Sequence, residues 1–135
     1  MASTIRLELV TPERFMLSED VEEIIIPGYE GELGVLPEHT QYLSIVNVGV
    51  LSYRKGGGWQ KIAISGGVAE ITPERVVVLA DTAEHAEEIN LERARLAQKR
   101  AEDELKQVGH SLDDERYKLA EAALSRAISR ISAIH

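Results

Sequence analysis

Apolar side chains recur at two different intervals along this chain, and the interval changes once, near residue 84. Before that point Ile5, Leu7 and Leu9 alternate with Arg6 and Glu8, the two-residue repeat of a half-buried strand. Beyond it Leu91, Ala94, Gln98, Ala101, Leu105 and Val108 are spaced three and four apart, and Tyr117, Ala120, Leu124, Ala127, Ile131 and Ile134 repeat that spacing. Each set makes one stripe along an amphipathic helix. No helix-period segment interrupts the earlier part, which argues against a parallel α/β sheet and for a sheet structure followed by a helical one.

Further strands are expected over Val21–Ile26, Leu33–Leu36, Leu43–Val46, Val48–Arg54, Trp59–Ser65, Val68–Ile71 and Val76–Ala80. Turn residues separate them: Thr11-Pro12-Glu13, Pro27-Gly28-Tyr29-Glu30-Gly31, Lys55-Gly56-Gly57-Gly58, Ser65-Gly66-Gly67 and Thr72-Pro73-Glu74-Arg75. Many short strands at this spacing read as an all-β sandwich or barrel. In the helical part Asn90 is placed to cap the first helix. Ser111-Leu112-Asp113-Asp114 reads as a capping-box start of the second, with Gly109-His110 as the link. So short a link implies an antiparallel hairpin. Domain boundaries are expected at 1–86 and 87–135.

Half of the two helical stripes is alanine, glutamine or tyrosine rather than a large aliphatic residue. An alanine in place of a leucine forfeits burial on the order of 2 kcal/mol per site. Helices this short need tertiary packing to persist. Two readings stay open at this level, a hairpin docked permanently on the sheets and one that can leave them.

Composition removes several function classes. The net charge of −8 argues against nucleic acid as a partner, because phosphate contacts need a basic face. The charge is unevenly distributed: residues 1–88 carry six basic and fifteen acidic side chains, residues 89–135 nine basic and eight acidic. There is no cysteine, so disulfides and thiolate metal sites are excluded. The N-terminal residues have no signal-peptide apolar core, and the longest apolar runs, Ile24–Ile26 and Val76–Ala80, are far short of the roughly 20 residues that cross a bilayer. A soluble chain is expected, reaching a membrane only through a partner.

Catalytic chemistry is hard to assemble. The four histidines (His39, His85, His110 and His135) lack ligand spacing, and no metal site is expected. Gly56-Gly57-Gly58 lacks the Lys-Ser/Thr of a phosphate loop, Ser65 lacks the glycine pattern of a nucleophile elbow, and Glu84, Glu87 and Glu88 precede a helix, where acids suit the dipole. The expected class is a binding or mechanical protein, not an enzyme.

Three segments are more specific. Glu30-Gly31-Glu32-Leu33-Gly34-Val35-Leu36-Pro37-Glu38-His39 resembles the EGELGxxPxH segment of the epsilon subunits of F-type ATP synthases. The run from Ser65-Gly66-Gly67 to Val78-Leu79-Ala80-Asp81 is similar to that family's SGG…VxVLAD run, and Ile89-Asn90-Leu91-Glu92-Arg93-Ala94 resembles the motif opening its first C-terminal helix. Order, spacing and length fit along essentially the whole chain.

The resemblance implies an antiparallel β-sandwich of about ten strands, followed by an antiparallel two-helix hairpin. It implies a non-catalytic rotor subunit that couples the γ subunit to the c-ring at the cytoplasmic face of a bacterial plasma membrane, or the equivalent face of a thylakoid membrane. Glu30, Gly31, Glu32 and His39 would meet the c-ring. The hairpin would inhibit ATP hydrolysis when extended towards the α and β subunits, with Arg116, Lys118, Arg126 and Arg130 as contacts. For those arginines a solvated basic face is the simpler alternative. No cofactor is required, but ATP is a candidate regulatory ligand at Glu84, Asn90, Arg93 and Arg100. Arg93 and Arg100 lie seven apart on one helix face, where two guanidinium groups can clasp phosphates. Asn90 stands where the family motif has Asp, which removes a charge but keeps a capping residue. The reading from another class is a free-standing ligand-binding β-sandwich that dimerises through its hairpin.

Overall fold

The computed structural model describes residues 3–108 and 115–135. The expected link Gly109-His110 and the capping box at 111–114 lie outside the described residues. Eight strands come first: β1 (Ile5–Val10), β2 (Phe15–Val21), β3 (Glu23–Gly28), β4 (Gly31–Val35), β5 (Tyr42–Lys55), β6 (Gly58–Ile71), β7 (Arg75–Ala80) and β8 (Ala83–His85). A short 3₁₀ turn, Ala86–Glu88, leads to α1 (Leu91–Val108) and α2 (Glu115–Ile134).

The strands run in the order β2-β1-β7-β6-β5-β3-β4, with β8 paired to β6. All pairs are antiparallel except β1 with β7. The eight strands stand for the ten expected, because β5 and β6 are each fourteen residues long and unite two of the segments read separately in the sequence. Along β5 the buried positions are Ser44 and Val46, then Leu51 and Tyr53, so the inward parity flips midway. The flip falls at Asn47, where the pairing is interrupted between Val46–Gly67 and Val48–Ser65 while the register stays the same. On β6, Ile62–Ile64 pair with β8 and Gly67–Ile71 with β7, so the β5–β6 ribbon bends from one layer of the sandwich into the other.

Glycine is required at that bend. Gly66 and Gly67 have φ of +78° and +141°, and a Cβ on Gly67 would lie 2.0 Å from the Leu79 carbonyl oxygen. Ser65-Gly66-Gly67 is therefore a mid-strand corner, not the strand end its composition suggests. At the far end of the ribbon Gly56 and Gly57 (φ +61° and +80°) form the tight two-residue connection that the twist of a hairpin favours.

The core lies between the layers. Ile5, Leu7, Leu9, Ile24, Ile26, Val35, Leu51, Ile62, Ile71, Val76 and Val78 are almost wholly buried. The chain contains Thr-Pro-Glu-Arg twice, at residues 11–14 and 72–75, and both copies fold alike. In each the threonine N–H donates to the arginine carbonyl (2.9 and 2.8 Å), and the arginine N–H donates to the threonine Oγ1 (3.2 Å in both).

The hairpin packs through α2, with α1 against it. The expected stripes are the buried or half-buried ones, and Arg116 and Glu104 pair across the two helices at 3.0 Å. A second face of α2 meets β5 and β6. There Ser129 donates to the Gly49 carbonyl at 2.6 Å, and Gly49 is in turn covered by Pro27, which leaves no room for a Cβ. The fully buried positions of the helices are Ala94 and Ala101 on α1, and Ala120, Ala127, Ser129 and Ala133 on α2.

Candidate functional site

Where the sandwich hands over to the hairpin, a cavity of about 400 Å³ opens between β8, the 3₁₀ turn and both helices. It is lined by Glu84, Glu88, Ile89, Asn90, Arg93, Ala94, Leu96, Ala97, Arg100 and Arg130. All four residues expected around a nucleotide, Glu84, Asn90, Arg93 and Arg100, are brought together here.

Local structure explains the placement. Asn90 caps α1, its Oδ1 accepting the Arg93 N–H at 3.0 Å while its carbonyl accepts the Ala94 N–H at 3.0 Å. That fixes the first turn and brings Arg93 and Arg100 onto the cavity wall. Glu84 sits on β8, held by pairing with Ala63 on β6.

Arg130 is the member that sequence reasoning put elsewhere. It was expected among the contacts with catalytic subunits; here it reaches from α2 to Glu84, Nε to Oε1 2.6 Å. Nothing in the spacing signals this pairing across 46 residues, because only the antiparallel docking of α2 creates it. Arg126 lies beside it over the β6–β8 edge, Arg116 is engaged with Glu104, and Lys118 is exposed.

Three guanidinium groups thus face two carboxylates. Glu88 is already answered from outside, since Arg14 forks onto it with Nη1 to Oε2 at 3.2 Å and Nη2 to Oε1 at 3.0 Å. The Arg14 hydrogen bonds, helped by the His85 N–H, hold the Glu88 carboxyl below the usual carboxylate range, and the same contact raises Arg14. The walls offer charge-assisted donors to an anion and an apolar strip, Ile89, Leu96 and Ala97, beside them. Among the described residues no group of His, Asp and Glu side chains has the grouping of a metal site.

At the sheet edge Glu30, Gly31 and Glu32 border a groove of about 330 Å³ shared with Tyr29, Leu43 and Ile45. His39 belongs to a neighbouring turn, its N–H donating to the Leu36 carbonyl at 3.2 Å and its Nδ1 2.6 Å from the Thr40 carbonyl.

A further surface was not foreseen. Phe15 on β2 faces Val10, Val10 faces Leu79, Leu79 faces Val68, and Val68 faces Ile45, so one apolar row crosses five strands. Phe15 and Ile45 at its two ends are 63% and 61% exposed, Leu79 and Val68 are exposed between them, and Val10 is half-buried, so most of the row is open to solvent. Such a face marks a docking surface rather than a core. Its strands look no different in sequence from strands that bury the same residues.

Comparison with known proteins is consistent along the whole chain. The beta-sandwich domain of the ATP synthase delta/epsilon chain matches residues 4–86, and its long alpha-helix domain matches residues 87–135. The ATP synthase epsilon chain of Desulforamulus reducens is 47% identical over 133 residues, 98% of each chain. That of Nitratidesulfovibrio vulgaris is 44% identical over 131 residues, 97% of this chain and 96% of the relative. A chain in the cryo-EM structure of the Euglena gracilis mitochondrial ATP synthase (OSCP/F1/c-ring) superposes with a TM-score of 0.85 at 29% identity, covering all of this chain and 84% of that one. No helix among the described residues is long and apolar enough to cross a membrane.

Proposed function

The chain belongs to the delta/epsilon chain family of ATP synthase as a non-catalytic epsilon subunit of the central stalk, and from that premise we propose that its sandwich couples the γ subunit to the c-ring while its hairpin restrains ATP hydrolysis. The apolar row from Phe15 to Ile45 is the face that receives γ. Five strands hold it rigid, as a torque-bearing contact requires. The carboxylates of Glu30 and Glu32 at the neighbouring groove offer polar contacts to the loops of the c subunits.

The observation that carries the regulatory part is the way α2 is docked. Two of its four cations are spent internally, Arg130 on Glu84 and Arg116 on Glu104, and its sheet-facing side sets Ser129 against a glycine carbonyl, flanked by Ser125, Ser132 and the buried Ala133. Each buried alanine methyl contributes roughly 0.8 kcal/mol, against about 1.5–3 for a buried Leu, Ile or Val. An interface of this kind can be left. Release frees Arg126 and Arg130 for acidic surfaces of the catalytic subunits.

ATP at the cavity opposes release. The cavity is walled by Arg93, Arg100 and Arg130 of the hairpin and by Glu84, Glu88 and Ile89 on the sandwich side, so one nucleotide bound across it stabilises the docked hairpin by RT ln(1 + [L]/Kd). Two experiments test this reading. ATPase activity of the assembled motor is measured with and without residues 89–135, and unchanged hydrolysis at every nucleotide level would sink the inhibitory role. Calorimetric titration of the chain with ATP is repeated for Arg93→Ala and Arg100→Ala. Binding unaltered in both removes those residues from the site.

A further inference from the structure

We infer that Arg14 pins the linker 83–88 to the sandwich, so that the hairpin turns about Ile89 and Asn90 and the linker stays behind when the helices leave. The inference rests on the reading that the hairpin moves, and it locates where movement stops.

The linker is bound to the sandwich by three kinds of contact. β8 pairs with β6 at Ile62–Ile64, and Ala83 is buried. The Ser65 N–H donates to the Thr82 carbonyl at 3.0 Å. Arg14 then reaches both ends of the segment, with Nη2 3.4 Å from the Ala83 carbonyl and its fork on Glu88. Glu88 also accepts the His85 N–H at 3.0 Å, which closes the 3₁₀ turn onto the same carboxylate. One guanidinium therefore holds the start and the finish of the linker together.

The base of this clamp is rigid. Arg14 projects from the first Thr-Pro-Glu-Arg turn, closed by a backbone bond and by two bonds of the Thr11 hydroxyl. The second copy provides an internal comparison. Arg75 leaves an equally closed turn but meets Glu8 on β1 at 3.8 Å, within the sandwich. The same local device is thus used once inside the sheets and once to hold the connecting segment.

On the far side of Glu88 the bonding changes ownership. The Ile89 N–H still bonds back, to the Ala86 carbonyl at 3.2 Å, and Ile89 has an extended backbone. From Asn90 onward the bonds belong to α1, through the Asn90 carboxamide and carbonyl. Two independently closed units meet at Ile89–Asn90, so rotation there breaks neither of them. The Glu84–Arg130 pair and the Ser129–Gly49 hydrogen bond are the ties that such rotation must break, and the first leaves Glu84 on the sandwich side.

Hydrogen-exchange mass spectrometry of the full chain in the assembled motor, with and without ATP, tests this. The expected result is that segments within 91–108 respond to ATP while the amides of 83–88 keep the same protection in both conditions. In Arg14→Glu the 83–89 amides exchange roughly tenfold faster, with β1 and core β6 peptides unchanged, because a single local opening is made cheaper. The matched substitution Arg75→Glu leaves the linker unaffected, and the charge-swapped pair Arg14→Glu with Glu88→Arg restores its protection. If Arg14→Glu does not fold, Arg14→Gln gives the same comparison. A linker that loses protection together with α1 in the unsubstituted chain overturns the inference and leaves the moving hairpin intact, as does Arg14→Glu behaving like Arg75→Glu. Identical exchange of 91–108 in both conditions instead defeats the moving hairpin itself, and this inference with it.

Discussion

The sandwich and the hairpin of this chain are both built mainly of regular structure but from different interiors. Between the sheets the buried residues are mostly isoleucine, leucine and valine, fourteen of them nearly free of solvent. In the helices the fully buried residues are five alanines and a serine. Large interdigitating side chains make the first region a single rigid packing. Small ones let two helices approach each other and a sheet closely while gaining little from each contact. The difference suits the proposed division into a part that transmits force and a part that detaches.

Substitutions can break or sharpen this contrast. The largest effect is expected at the corner of the ribbon. Gly67→Ala puts a methyl group onto the Leu79 carbonyl, at a backbone angle that side chains avoid, and should cost more than about 4 kcal/mol, read as loss of cooperative unfolding. Next, Ile24→Ala inside the sandwich should lower stability by about 2–5 kcal/mol in denaturant melts. A cost below that range would mean the sheets are no better packed than the helices.

On the hairpin side the effects shrink. Ser129→Ala leaves the Gly49 carbonyl without its hydroxyl and should weaken docking by about 1–2 kcal/mol, seen as faster exchange in α2 with the sandwich melt unchanged. A shift of the sandwich melt would show that the two regions are not separable.

Two pH effects are smaller still. Burial, then the nearby Glu19 carboxylate, push the Tyr53 phenol up to about 12. Because the folded value lies above the ordinary one near 10, the neutral phenol's contribution is complete below pH 10 and is lost as pH rises towards 12. Tyr53→Phe should flatten that alkaline fall in stability. Glu88 works in the opposite sense: its carboxyl is held low by Arg14, so the clamp is fully present above the ordinary carboxylate value of 4.5 and is lost as pH falls through the lowered one. Exchange at 83–89 should rise in that acid window, and Glu88→Gln should remove the dependence.

The division into sheets and helices was legible because a change of hydrophobic period is a local property, visible in side chains a few residues apart. The stripes from Leu91 to Val108 and from Tyr117 to Ile134, and the Asn90 cap, follow from the same short-range rules. Other elements were hidden for physical reasons. β2 is an edge strand that buries only Leu17 and Val21, so its pattern is too sparse to read, and β8 has three residues. β5 and β6 looked like four strands because the corner at Gly66-Gly67 resets the inward parity.

The candidate site divides along the same line. Glu84, Asn90, Arg93 and Arg100 lie within seventeen residues and could be grouped from sequence, whereas Arg130 joins them only through the docking of α2. The two Thr-Pro-Glu-Arg copies make the distinction plainest. Four identical residues determined the same closed turn twice, since its hydrogen bonds run between neighbours. Whether the arginine then met Glu8 on the next strand or Glu88 on the linker was decided by the tertiary structure alone, because a side chain's distant partner depends on which surface the rest of the chain folds beside it.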